Sequence, residues 1–140
     1  MKSLIIMMGF VLFAWGSDSI AFIKSIQGNA TVKHDNISHV IQKGEYLFSG
    51  DSIQTAKNST IGISFNDGTR IAVGAQTLFI IDDYLFAPSQ NDFRFDVTLP
   101  KGSIVFESGK IGKLAPEKVS IKAPQGIIGI RGTKFIVEAE

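Results

Sequence analysis

The sequence predicts an all-β fold: many short strands in one domain, arranged as a sandwich, a barrel or a short solenoid. Three observations carry that expectation. After residue 21 the chain holds 17 Ile, 7 Val and 9 Phe against 5 Leu and no Met, a bias toward the β-branched and aromatic side chains that suit a pleated, half-buried surface. Glycines recur from Gly28 to Gly132, and the pairs Gly44/Gly50, Gly62/Gly68, Gly68/Gly74 and Gly102/Gly109 leave runs of strand length between them. No window sustains a 3.6-residue apolar stripe. The 140 residues make one domain's worth of chain, and 44% apolar composition is enough to form a core.

The first element in order is a leader, residues 1–21, in which 14 of 21 positions are apolar. Lys2 provides the positive start, and Leu4 to Trp15 is an uncharged block broken only by Gly9. Small residues at Ala14 and Gly16, or at Ser19 and Ala21, suit signal-peptidase cleavage after Gly16 or after Ala21. Asp18 interrupts the apolar run before the roughly 20 residues a membrane span needs, so a membrane enters the reading only through an uncleaved leader.

Residues 22–140 form the β-domain. Its expected strands are Phe22–Ile26, Ala30–His34, His39–Gln42, Tyr46–Phe48, Ser52–Thr55, Thr60–Phe65 and Arg70–Val73, then Thr77–Ile81, Phe93–Leu99, Ser103–Glu107, Val119–Lys122, Ile127–Ile130 and Lys134–Glu138. One hairpin can be argued to its register. A two-residue loop at Asp67-Gly68 would put the apolar sets Ile61, Ile63, Phe65 and Thr69, Ile71, Val73 on opposite faces. A three-residue loop pairs Phe65 with Thr69, Ile63 with Ile71 and Ile61 with Val73, so that both sets share one face and Gly68 takes the left-handed position. Residues 82–96, rich in aspartate and carrying the turn signal Pro88-Ser-Gln-Asn, are expected to contain the longest exposed connection. Gly109 to Lys118 is expected as a second, basic loop.

Composition removes several kinds of chemistry. The absence of cysteine excludes disulfides, a thiol nucleophile and a thiolate zinc site. Fourteen basic against thirteen acidic residues give no electrostatic reason to expect nucleic acid or an anionic membrane as partner. His34 and His39 flank Asp35-Asn36 and read as exposed turn histidines; no glycine-framed serine matches either, and no catalytic residue is assigned. With Asp35 they would offer three metal ligands, short of the usual four of structural zinc. Asp82, Asp83, Asp92 and Asp96 lack the spacing of a calcium loop and read as a solvated acidic segment, so no metal or cofactor is expected. Arg131 stands alone in the apolar, glycine-spaced run from Pro124 to Phe135. It must reach water or a carboxylate or carbonyl partner, because an unpaired buried charge is expensive. It is read as a tie between strand ends and as the candidate partner contact.

Gly28-x-Ala30-x-Val32, Gly50-Asp51-Ser-Ile53-Gln-Thr55, Phe65-Asn-Asp67-Gly68-Thr-Arg-Ile71, Gly102-Ser-Ile-Val, and Ala123-Pro124 followed by Arg131-Gly132-Thr133-Lys-Phe135 occur in that order. The set resembles the FecR domain, across roughly residues 25–138. The resemblance implies an all-β extracytoplasmic module in which Gly50, Asp51, Asp67, Gly68, Arg131, Gly132 and Thr133 act as fold determinants. The family's name-giving members are membrane-spanning transducers that regulate an extracytoplasmic-function sigma factor in iron-siderophore uptake. The expected function is an exported, periplasmic, non-enzymatic β-domain that binds an envelope protein or glycan. The alternative is an accessory or sensor component of sigma-factor and iron-uptake signalling.

Overall fold

The computed structural model describes residues 18–129 and 133–139. Its strands are β1 (Ala21–Gln27), β2 (Ala30–His34), β3 (Ile37–Val40), β4 (Tyr46–Leu47), β5 (Ser52–Thr55), β6 (Thr60–Phe65), β7 (Arg70–Val73), β8 (Leu78–Ala87), β9 (Asp92–Glu107), β10 (Val119–Ala123), β11 (Gly126–Ile128) and β12 (Lys134–Ala139). A short helix, α1 (Lys110–Leu114), follows β9. The strands form one continuous sheet, antiparallel except where β10 runs parallel to β9, and it curls into a half-barrel.

The long β9 makes the curl. Its first part pairs with β8 and β10, and its second part, from Gly102, pairs with β7 and β12. One half of the sheet therefore reads β3-β2-β5-β8-β9-β10-β11, and the other β4-β1-β6-β7-β9-β12. Gly102 has φ +96°, and a Cβ there would stand 2.5 Å from Thr77 Cα. Only glycine lets the strand change partners at that point. The inner faces meet over a single apolar core. Phe95 is its hub, with ring centroids at 4.9 Å from Phe65, 5.4 Å from Tyr84 and 5.5 Å from Phe106. Phe65 comes from one half and Tyr84 from the other, so the aromatic cluster holds the halves together.

The β6–β7 hairpin has the three-residue loop. Ile61 pairs with Val73 and Ile63 with Ile71, Phe65 N–H donates to Thr69 O at 2.8 Å, and Gly68 has φ +92°. Other expectations need correction. Residues 82–96 are a long hairpin, not a long loop: β8 continues to Ala87, with Tyr84 opposite Phe95 and Phe86 opposite Phe93. Only Pro88–Asn91 turns, closed by Asn91 at φ 52°. A bulge between Ile81 and Asp83 shifts the alternation, so that Ile81 and Tyr84 both face inward while Asp82 remains in solvent. The two strands expected at 93–99 and 103–107 are one strand, because each part has its own ladder partner through the bend. The second basic loop holds α1, whose Ile111 is buried. Asp35 and Asn36 both have positive φ, the signature of a two-residue hairpin turn. That turn pairs His34 directly with Ile37, so β3 starts two residues earlier than expected and both histidines lie on strands. Among the described residues, no helix is long and apolar enough to cross a membrane.

Candidate functional site

Two buried carboxylates stand out first. Asp67 follows the β6 strand and is 2% exposed. Its carboxylate accepts from Thr69 N–H at 3.2 Å, Thr69 Oγ1 at 2.8 Å, Ile111 N–H at 2.9 Å and the Tyr84 hydroxyl at 3.0 Å. The Tyr84 oxygen in turn accepts from Asp67 N–H at 2.9 Å. One side chain thus joins the β6–β7 turn to β8 and to the start of α1. Burial, and then the charge of Asp67, push the Tyr84 hydroxyl pKa well above its ordinary value, so it stays a neutral donor. Thr69 Oγ1 also accepts from Gly109 N–H at 3.1 Å, and a Cβ on Gly109 would lie 2.2 Å from Thr69 N.

Asp51 makes the second node. Its carboxylate accepts from Phe48 N–H at 2.9 Å and is hydrogen-bonded to His34 Nδ1. That bond raises the pKa of His34 above 6.5, against a smaller desolvation effect and with help from the charges of Asp51 and Asp35. Gly50, before it, has φ +94° and donates to Ile81 O at 2.7 Å. His39 is bound instead to Glu45. The two histidines take separate carboxylates, and no group of three or more metal-binding side chains forms among the described residues.

The five sequence-marked positions among the described residues do not converge on a cleft. Gly50 and Asp51 hold one turn, and Asp67 and Gly68 hold another. Thr133 is exposed, and its carbonyl accepts from Ser108 N–H at 2.6 Å. Arg131 and Gly132 lie outside the described residues. Every buried side-chain nitrogen and oxygen among the described residues has a hydrogen-bond partner.

The surface that is not consumed in this way is the outer face of the β4-β1-β6-β7-β9-β12 half. Strand register sets its rows. One row runs Tyr46, Phe22, Ser64, Arg70, Glu107, Lys134. The next runs Ser25, Gly62, Ala72, Val105, Ile136. Small residues at Ser25, Gly62 and Ala72 leave an open groove, lined also by Lys24, Arg70, Glu107 and Lys134. It continues past Arg70 and Glu107 to Ser108, Lys110 and Lys113. A bulge between Ile23 and Ser25 exposes both Lys24 and Ser25, a known way for a strand to re-aim a side chain. Arg70 Nη2 donates to Glu107 Oε2 at 2.7 Å, whereas Lys24, Lys110, Lys113 and Lys134 form no ion pair among the described residues. Five cations therefore line the groove against one exposed carboxylate, Glu107, with Asp67 buried beneath. At the far end of the first row, Tyr46 is 63% and Phe22 38% exposed. In the sequence Lys110 and Lys113 belong to the basic Gly109–Lys118 loop and Arg70 and Lys134 to the family motifs, but nothing there gathers these residues on one face. Their signal was present as polar or small residues alternating with core positions, but the rows exist only once the strand order is known.

Compared with known proteins, residues 51–140 match the family model described as FecR protein. The match leaves out residues 25–50 of the sequence-level resemblance. No curated protein matches. A solved structure titled "Cell surface anchoring domain" is similar at 27% identity, over 44% of this chain and 83% of that one, with a TM-score of 0.42.

Proposed function

The chain belongs to the FecR family, and on that premise we propose that it is an exported, non-enzymatic β-module that binds a component of the cell envelope. The observation that carries the reading is the outer groove. It offers cations and small residues on a face the core does not require, and the exposed rings of Phe22 and Tyr46 lie further along the same row. The buried Asp51, Asp67 and Tyr84, which would otherwise invite a catalytic reading, are engaged in bonds that hold turns together. Export rests on the leader with Lys2 and the Leu4–Trp15 block.

The test is cross-linking in intact cells of the native host, followed by fractionation and capture through a C-terminal tag. The expected result is protein in the envelope fraction, cross-linked to an envelope component and lacking Trp fluorescence, because Trp15 lies in the leader. Cytoplasmic protein with no cross-linked envelope component would overturn the proposal. A sigma-dependent transcriptional change on deletion, with no envelope capture, would favour the sensor role instead.

A further inference from the structure

We propose that the groove across the outer face of the β4-β1-β6-β7-β9-β12 half binds an anionic polysaccharide, with carboxylates on its sugar units seated against Arg70 and Lys134 and sugar rings laid on Phe22 and Tyr46. The inference rests on the envelope-binding reading and adds the chemistry of the ligand. Charge complementarity is its first support. Lys24, Arg70, Lys110, Lys113 and Lys134 concentrate along one groove of a chain whose net charge is only +1. A cluster of one sign on a low-dielectric surface attracts the opposite charge locally. Arg70 is held by Glu107 through one nitrogen, which fixes the guanidinium and leaves further N–H groups for a second carboxylate.

Spacing gives the second support. Arg70 and Lys134 flank Glu107 on either side in the same row, two strand spacings apart. At about 4.8 Å per strand that is roughly 10 Å, close to the length of a disaccharide repeat. Continuing along the row, β6, β1 and β4 add three more spacings and bring the chain to Phe22 and Tyr46. Aromatic faces stack on the C–H faces of sugar rings, and Tyr46 also has a hydroxyl to offer.

The third support separates a glycan from an acidic peptide. The row crosses the strands, and the amides of β6, β7 and β9 beneath it are already paired in the sheet. A peptide laid across them would find no main-chain partners for its own amides, which cost free energy when buried unpaired. A sugar chain has no such obligatory ladder. Its hydroxyls can face water or side chains such as Ser25 and Ser64, which line the groove.

The experiment measures binding of the full chain to polygalacturonate by calorimetry at low and moderate salt. Its methyl ester, polyglutamate and phosphatidylglycerol vesicles serve as comparison ligands. Binding of polygalacturonate with little binding of the other three is expected. Arg70→Gln with Lys134→Gln should weaken it about tenfold or more, the size expected for losing two exposed charge-assisted contacts. Phe22→Ser with Tyr46→Ser should weaken it without changing its salt dependence. Lys43→Gln with Lys57→Gln, exposed lysines outside the groove, should leave it unchanged. Far-UV circular dichroism and melting temperature verify that each variant folds. Equal binding of polyglutamate, preference for the vesicles, or polygalacturonate binding indifferent to the Arg70 and Lys134 changes would each overturn the proposal. If envelope capture in cells persists in the groove variants, the glycan assignment fails while the envelope-binding reading stands.

Discussion

The Asp67–Tyr84 pair offers a quantitative test of what holds the fold. Tyr84→Phe keeps the ring against Phe65 and Phe95 and removes only the hydroxyl. Two bonds go with it: the donation to Asp67 Oδ1 at 3.0 Å and the acceptance from Asp67 N–H at 2.9 Å. The first is a bond to a charged acceptor and the second leaves a buried N–H without a partner, so the loss is about 2–4 kcal/mol. At roughly 3–5 °C per kcal/mol for a domain of this size, the melting temperature falls by about 10 °C. Asp67→Asn keeps the volume but replaces one of two accepting oxygens by an NH₂, which at Oδ2 faces the donors Thr69 Oγ1–H and Ile111 N–H and at Oδ1 faces Tyr84 O–H and Thr69 N–H. It costs a similar amount or more. Because Tyr84→Phe removes the donor and Asp67→Asn the acceptor's charge from the same Tyr84–Asp67 bond, the double variant should be less destabilised than the sum by about 1 kcal/mol or more. Urea unfolding followed by far-UV circular dichroism measures the cycle, with equal m-values as the check on two-state behaviour. Additivity to within about 0.5 kcal/mol would refute the claim that one bonded network joins β8 to the β6–β7 turn.

The ionisation of Tyr84, the His34–Asp51 bond and two glycines give further tests. The pKa of Tyr84 is raised in the folded state, so its contribution is complete below pH 10 and is lost as pH rises above that value, where the unfolded chain ionises first. Unfolding midpoints measured from pH 8 to 11.5 should therefore fall above pH 10, and fall less steeply in Tyr84→Phe. His34 should titrate above 6.5 by NMR, with Asp51→Asn bringing it down toward that value; its stabilisation is complete below pH 6.5 and is lost as pH rises through the folded-state pKa. A midpoint below 6.5 in the unsubstituted protein would contradict the His34–Asp51 bond. Gly68→Val meets no atom within 4 Å of the new Cβ and should cost about 1–2 kcal/mol from left-handed backbone strain alone. Gly102→Ala adds a 2.5 Å approach to Thr77 Cα and should cost roughly 3 kcal/mol or more, with the order of the two costs read from urea midpoints.

Local rules read this chain well where the answer is local. The β6–β7 register followed from one requirement, that Ile61, Ile63 and Phe65 share a face with Thr69, Ile71 and Val73, and only one loop length meets it. The same rules failed where partners come from far along the chain. Pro100-Lys-Gly102 reads as a break, yet β9 crosses it because β8 supports one side and β7 the other. The Asp82–Asp96 stretch reads as a solvated loop because its aspartates dominate. The hairpin follows from Tyr84, Phe93 and Phe95, which are buried against the hub of the core. The helix α1 spans five residues, too short to show a period, and is kept in place by Asp67 from 44 residues earlier.

The groove was the least legible feature because net charge does not reveal how charges sort between faces. A net charge of +1 bears on attraction at long range, beyond the Debye length of about 8–10 Å in physiological salt. On a strand each outer position belongs to a face chosen by parity. Lys24, Arg70 and Lys134 come from β1, β7 and β12, and one solvent position on each places a cation over the same groove. No sequence window contains these three, because each strand contributes one such residue; only Lys110 and Lys113 share a window. The opposite sorting occurs on the β8–β9 hairpin, which carries Asp82, Asp83, Asp92 and Asp96, with Arg94 paired to Asp83 at 3.2 Å. A near-neutral chain with segregated faces should show little long-range steering and a salt-sensitive grip at contact. Such a balance suits a module that meets a fixed polymer at short range.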